Sequence, residues 1–273
     1  MNEREKYTNG WSGLTIPIAV LLAIATAGGV FMRGLYRDNV YFTVQAIGQD
    51  FISLVVVLPT LIVTSILARR GSVRAYLVWL GVLVYLVYTY VVAAFDNNFN
   101  RLFLVYVALL GCSLYALIGG LVRLNMAGIK ACFAENSPVK AVSVYLAILA
   151  ALFYLLWLRE IIPALVTGGI PQSIRDNGTP TNAIHVLDMA WILPAFGIGA
   201  VTLWRKQALG YTLAGVLLSY GVQLMLAILS MVVFMERGGF PVAVPQVVIF
   251  GIIFSISLGM LIWYMRGLKR QAL

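Results

Sequence analysis

Side chains that bind metals or carry redox chemistry are scarce in this chain, with one histidine and two cysteines among 273 residues. A structural zinc site takes about four Cys or His ligands and a catalytic one usually two or three histidines, a supply this sequence lacks. No Cys-x-x-Cys pair occurs. The two cysteines form no disulfide framework either, because Cys112 falls inside an apolar run and Cys132 in a basic connection. Also missing are a P-loop, a dinucleotide-type glycine pattern and a lysine deep in an apolar run to hold a Schiff base. Ser53, His185 and Asp188 supply the residue types of a nucleophilic triad, but nothing near Ser53 resembles a nucleophile elbow. Asp50, Glu160, His185 and Asp188 are the carboxylate-rich set left for a metal. No cofactor is expected.

Charge is scarce too. Only 11% of residues are charged against 62% hydrophobic, where a soluble domain carries about 25% charged residues to cover its surface. The apolar residues come in long runs rather than at a period of two or 3.6, and such runs read as bilayer spans. With roughly 20 residues per span, the runs fall near 12–32, 45–68, 74–95, 102–122, 141–160, 183–204, 209–234 and 245–265. The expected fold is all-α, a polytopic membrane protein of about eight transmembrane helices. The first run is long and lacks a small-residue cleavage site, so it reads as an anchor.

Basic residues resist translocation and set the orientation. Arg4, Lys6, Arg69, Arg70, Arg74, Arg123, Lys130, Lys140, Arg205, Lys206, Arg266, Lys269 and Arg270 fall on one side, and Arg33, Arg37, Arg101, Arg159, Arg175 and Arg237 on the other. The richer side is expected to be cytoplasmic, with both termini there and the chain in the cell (inner) membrane. The net charge of +9 therefore reflects topology and contact with anionic lipid headgroups. Nucleic acid is not an expected partner, because the basic residues sit in short turns rather than in a patch interleaved with aromatics.

Sliding the chain by 135 residues places Leu58-Pro59 on Leu193-Pro194, Arg70 on Arg205, Tyr76 on Tyr211, Leu83 on Leu218, Tyr85 on Tyr220 and Val87 on Val222, without a gap. This register predicts an internal repeat of four spans plus four. Residues 1–122 would form the first half, 123–140 a cytoplasmic linker and 141–273 the second half. An even span number makes the halves parallel, related by an axis along the membrane normal. The apolar-basic linker reads as an ordinary loop or as a short helix on the inner leaflet. Pro59 and Pro194, inside the second and sixth spans, each remove a backbone hydrogen bond, an interruption that carriers use to build sites.

The runs YLVYTYVVAAF and FNRLFLVYVALLGCSLYALI (residues 85 to 118) and NAIHVLDMAWILPAFGIGAVTLWRKQALGY (182 to 211) resemble a widespread group of uncharacterised prokaryotic multi-pass membrane proteins. The resemblance covers spans two to four and six to seven. It implies a prokaryotic membrane origin and transfers no functional residue.

Ionisable groups inside apolar spans are functional hypotheses by default. Glu3, Glu5 and Glu135 fall on the basic side, whereas Asp38, Asp50, Asp96, Glu160, Asp176, Asp188, Glu236 and His185 fall at or near the other. A polar site should thus open outward. His185 and Asp188 share a helix face, with Gln45, Gln49 and Asp50 as candidates to face them. The competing explanation is local, since an acid in the first turns of a helix is favoured by the helix dipole. A deeper layer, Tyr85 and Tyr88 in the third span and Tyr220 and Gln223 in the seventh, is harder to explain that way, because a buried amide must find partners in hydrocarbon. Tyrosines there can also fasten helices together, and Tyr41 and Tyr90 fit an aromatic belt.

The expected activity is a small-molecule or ion carrier, or a ligand-binding membrane protein, whose outward-facing pocket is lined by Gln49, Asp50, Tyr85, Tyr88, His185, Asp188, Tyr220 and Gln223. An intramembrane enzyme using the same Asp, Glu and His side chains is one alternative, and a non-catalytic scaffold or partner subunit is another. Lipids are the remaining expected partners. The orientation is tested by impermeant thiol labelling of intact cells in a background without Cys112 and Cys132. A cysteine at position 206 should be protected and one at position 178 labelled, and the opposite pattern would invert the topology.

Overall fold

The computed structural model describes residues 10–269. Glu3, Arg4, Glu5, Lys6 and Arg270, which entered the charge pattern, lie outside them. The described residues contain eight helices long and apolar enough to cross a membrane: α1 (Ser12–Phe31), α2 (Val40–Arg69), α3 (Val73–Phe95), α4 (Phe103–Val122), α5 (Val139–Thr167), α6 (Ala183–Trp204), α7 (Ala208–Arg237) and α8 (Val244–Arg266). No strand occurs among the described residues. The chain is an integral membrane protein, as its composition implies.

Helix ends follow capping chemistry more than hydropathy. α2 begins at Val40 rather than near 45, because the Asn39 side chain accepts from the Phe42 N–H at 2.8 Å and so permits an extra polar turn at the start of the span. Ser72 caps α3 by accepting from Ala75 N–H at 3.3 Å, and Asn182 caps α6 through Ile184 N–H at 2.9 Å. α5 continues past Arg159-Glu160 and through Pro163 to Thr167, where Gly168 ends it at φ 67°, a left-handed conformation that glycine adopts without steric cost.

Two helices widen before their prolines. In α2 a π turn occupies Ser53–Val57, and in α6 another occupies Asp188–Ile192. The chain then runs directly into Leu58-Pro59 and Leu193-Pro194. A proline inside an α-helix lacks its N–H and collides with the carbonyl four residues back. Opening one turn to the wider pattern gives that carbonyl room, and Leu58 N–H bonds to Ser53 O while Leu193 N–H bonds to Asp188 O. The two π turns lie 135 residues apart, the same offset that aligns the sequence.

α3 is the centre of the bundle, with 78% of its apolar window buried, whereas α8 at 17% is the most peripheral span. α3 packs on α2, α4 and α7, and α7 in turn holds α2, α6 and α8. With few charges to pair, the helices approach closely at small residues. A Cβ at Gly48 of α2 would stand 2.8 Å from the Met231 backbone of α7, and one at Gly81 of α3 would stand 2.7 Å from the Val216 carbonyl.

At the Arg-rich end the connection between α4 and α5 does not lie free on the leaflet. Its short helix Met126–Ala131 packs against α7 with Ile129 fully buried. Phe133 pairs as an antiparallel bridge with Leu268, with Lys269 N–H donating to Cys132 O at 2.8 Å and Ala134 N–H to Gly267 O at 2.9 Å. The Phe133 ring packs on Tyr211 and Tyr264, and Arg74 donates to the Leu268 carbonyl.

The Gly48 approach gives a direct test of the α2–α7 contact. Gly48→Ala forces backbone apart and should lower stability by about 1–3 kcal/mol, the usual cost of overpacking, seen as a lower melting temperature in detergent, whereas Gly259→Ala, at a site with open space, should leave it unchanged.

Candidate functional site

The acidic end is tied together by its loops. Asp38 accepts from Asn98 N–H at 2.8 Å, Asp96 from Ala183 N–H at 2.9 Å, and Asn39 donates to the Asp176 carbonyl at 2.8 Å. Burial raises the pKa of both Asp38 and Asp96, and the backbone N–H bonds offset part of that rise.

Beneath these loops lies a cavity of about 70 Å³ between α2, α3, α4 and the acidic-end turns of α6 and α7, with Gln45, Gln49, Asp50, Thr89, Tyr90 and Tyr106 among its walls and Asn97 and Asn177 in its rim. Asp50 is buried. Its carboxylate accepts from the Tyr36 hydroxyl and fits against the α1 backbone only because residue 29 is glycine, where a Cβ would collide with it. Burial, followed by the charge of Asp50, pushes the Tyr36 phenol well above its usual range, so Tyr36 remains a proton donor to that carboxylate. Gln49 donates to Thr89 at 2.9 Å. The Tyr90 hydroxyl is buried without a hydrogen-bond partner, its ring 6.0 Å from that of Tyr106, whose hydroxyl has Asn100 and Tyr36 as polar neighbours.

A second, smaller cavity of about 40 Å³ lies deeper in the bundle between α5, α6, α7 and α8, lined by Asp188, Tyr220 and Ser257 in otherwise apolar walls. Asp188 stands in the π turn of α6, where it accepts from the Trp157 indole N–H at 2.8 Å and contacts Tyr88. Tyr154 donates to the neighbouring Met189 carbonyl at 2.8 Å, satisfying a backbone group in the widened turn.

The eight residues expected in one pocket are thus divided. Gln49 and Asp50 line the first cavity, Asp188 and Tyr220 the second, and His185 neither. The Tyr85 and Ser53 hydroxyls are 2.9 Å apart, and Tyr88 packs edge-on against Tyr220 at 5.8 Å. These large rings of α3 fill the seam and separate the two carboxylates. Gln223 donates to the Ser219 carbonyl at 3.1 Å, while its own oxygen is buried and unpartnered. His185 is buried against Trp157, with ring centroids 4.6 Å apart, and its Nε2 lies 3.7 Å from Glu160. Both His185 and Asp188 face the bundle rather than the headgroups, so the helix dipole alone does not account for them.

The catalytic constellations do not assemble. Ser53 is engaged by Tyr85 and His185 by Trp157 and Glu160, so no triad forms. Among the described residues, no three His, Cys, Asp or Glu side chains converge to hold a metal, because Asp50 turns toward Tyr36 and α1 while Asp188 turns toward Trp157. Sequence reasoning missed Tyr36, Tyr106 and Trp157, and it placed Tyr90 in an aromatic belt although that side chain is buried. The Gly28-Gly29 pair in α1 was the one local signal that something large packs there.

Comparison of the chain with protein-family models, curated proteins and solved structures gave no match in any of the three.

The Trp157 contact is open to measurement. Trp157→Phe keeps the ring's apolar bulk but removes the donor to buried Asp188, and should cost about 1–3 kcal/mol. Its melting temperature should fall, and in an Asp188→Asn background the same change should cost less, since the charged acceptor has already gone.

Proposed function

We propose that the protein is a carrier of small cationic solutes, ions or amines, that binds them at Asp50 in the cavity opening at the acidic end. The observation that supports this most directly is one buried carboxylate sharing a cavity with the Tyr90 hydroxyl, which lacks a partner, and with the Tyr106 phenol. Among the described residues Asp50 has no ion-pair partner, and unpaired charge inside a bundle is costly. A ligand that brings its own positive charge and N–H donors offsets that cost, with phenol oxygens as further acceptors and aromatic faces for cation–π contact. The solute would enter from outside the cell, the orientation that the basic-residue pattern favours. In this reading the chain comprises two related, parallel four-helix halves in the inner membrane, a duplication supported by the matched π turns. The seam between α3 and α7 is then where the halves would move during transport.

Uptake of radiolabelled methylammonium into proteoliposomes tests the reading. Saturable uptake is expected, reduced at least tenfold by Asp50→Asn and unaffected by Glu135→Gln at the Arg-rich end. If neither uptake nor equilibrium binding exceeds that of empty liposomes, the carrier reading falls and the polar residues serve only to fasten helices.

A further inference from the structure

The Asp188 cavity differs from the Asp50 cavity in wall chemistry and depth. Leu149 and Phe153 of α5, Leu193 and Phe196 of α6, Leu224 of α7 and Ile253 of α8 surround one carboxyl, one phenol and the Ser257 hydroxyl, which is already paired with Tyr145. At 1.5 Å per residue, the stretch from Asp188 to Phe196 places the pocket roughly 7 to 20 Å below the start of α6, at the level of lipid chains rather than headgroups.

The wall between α5 and α8 is the weakest, since α8 packs along α7 and meets α5 only over a short stretch. The contact there is a polar clasp in which the Tyr145 and Ser257 hydroxyls are 2.5 Å apart and Tyr145 lies 3.3 Å from the Ile253 carbonyl. Tyr145 sits one turn toward the Arg-rich end from Leu149, so the clasp floors the cavity. Above it, α5 and α8 hold few contacts with each other.

Two observations point to a ligand. The Tyr220 hydroxyl, 1% exposed and on the cavity wall, has no hydrogen-bond partner. Asp188 accepts from Trp157 at 2.8 Å and from the Tyr88 hydroxyl, and among the described residues no cation pairs with it. A carboxylate held in largely apolar surroundings is costly unless a positive charge offsets it. A purely apolar occupant would leave the phenol without a partner and the carboxylate without a countercharge, and a hydrophilic solute would not reach them through lipid.

We infer that this cavity is a second binding site, for a lipophilic amine whose ammonium head meets Asp188 and the Tyr220 hydroxyl while its alkyl chain passes between α5 and α8 into the bilayer. Phe196, whose ring centroid is 6.5 Å from that of Tyr220, adds an aromatic face beside the head. The site is independent of Asp50, so it stands whether or not the protein carries methylammonium.

The test is equilibrium binding of radiolabelled decylamine to the full-length protein in nanodiscs, with empty nanodiscs subtracted for partition into lipid. Decylamine should bind saturably, and unlabelled decylamine should displace it at least tenfold more effectively than decanol, which keeps the chain but lacks the charge. Asp188→Asn should weaken binding at least tenfold, as should Leu224→Trp, which fills the cavity while leaving the carboxyl in place, whereas Asp50→Asn should leave it unchanged. Melting curves confirm that each variant is folded. Equal binding by wild type and both cavity variants, equal displacement by decanol, or loss in Asp50→Asn alone would each overturn the assignment.

Discussion

Hydrocarbon offers no hydrogen bonds, so every polar group between the ends of α1 and α8 has to be satisfied by another part of the chain. Much of the bundle's geometry follows from that requirement. Trp79 reaches Thr15 at 3.1 Å, Tyr76 reaches the Gly120 carbonyl at 2.8 Å, Ser230 the Gly48 carbonyl at 2.7 Å and Tyr264 the Tyr211 carbonyl at 2.9 Å. Each joins one span to another, and each fixes helix rotation where lipid-like side chains would allow slippage. Against that background the exceptions carry meaning. Tyr90 and Tyr220 leave hydroxyls unpaired and line cavities, whereas Ser113, Ser143 and Gln223 hold unpaired oxygens away from both.

The π turns serve the same requirement in a different way. A proline in mid-span would strand a carbonyl, and the chain answers by widening the turn before it. In α6 the widening brings Asp188 into the bundle and exposes the Met189 carbonyl to Tyr154. In α2 it places Ser53 against Tyr85. One backbone device, used twice at the same spacing, thus positions polar groups near both cavities, and the carboxylates it serves end up on opposite sides of the tyrosine-filled α3.

Span number and placement were legible in the sequence because the requirement for length is crude: roughly 20 apolar residues announce a crossing whatever the helix touches. Boundaries were less so. The run read from 45 missed the first turn of α2, which begins at Val40, and Arg159-Glu160 hid the end of α5, since hydropathy reads charged residues as the membrane's edge even where the helix continues. The identity of the polar residues was legible for the same reason that their grouping was not. Asp50, Asp188 and His185 stand out in any apolar run, but which of them meet depends on helix rotation, and a helix apolar on all sides gives no phase. Tyr36 illustrates the limit, as it lies in a loop by sequence and yet bonds a mid-span carboxylate across 14 positions.

The pairing of Phe133 with Leu268 has a consequence for how the molecule is made. Leu268 follows α8 in the chain, so the connection between α4 and α5 stays without its bridge until the eighth helix has been made. The same delay applies to α3, whose inward face waits for α7. The first four helices must therefore reside in the bilayer with the polar tip of Tyr88, whose contacts Asp188 and Tyr220 lie on α6 and α7, uncovered, in the care of lipid headgroups, water or insertion machinery. The middle of the bundle is closed only by helices made after it.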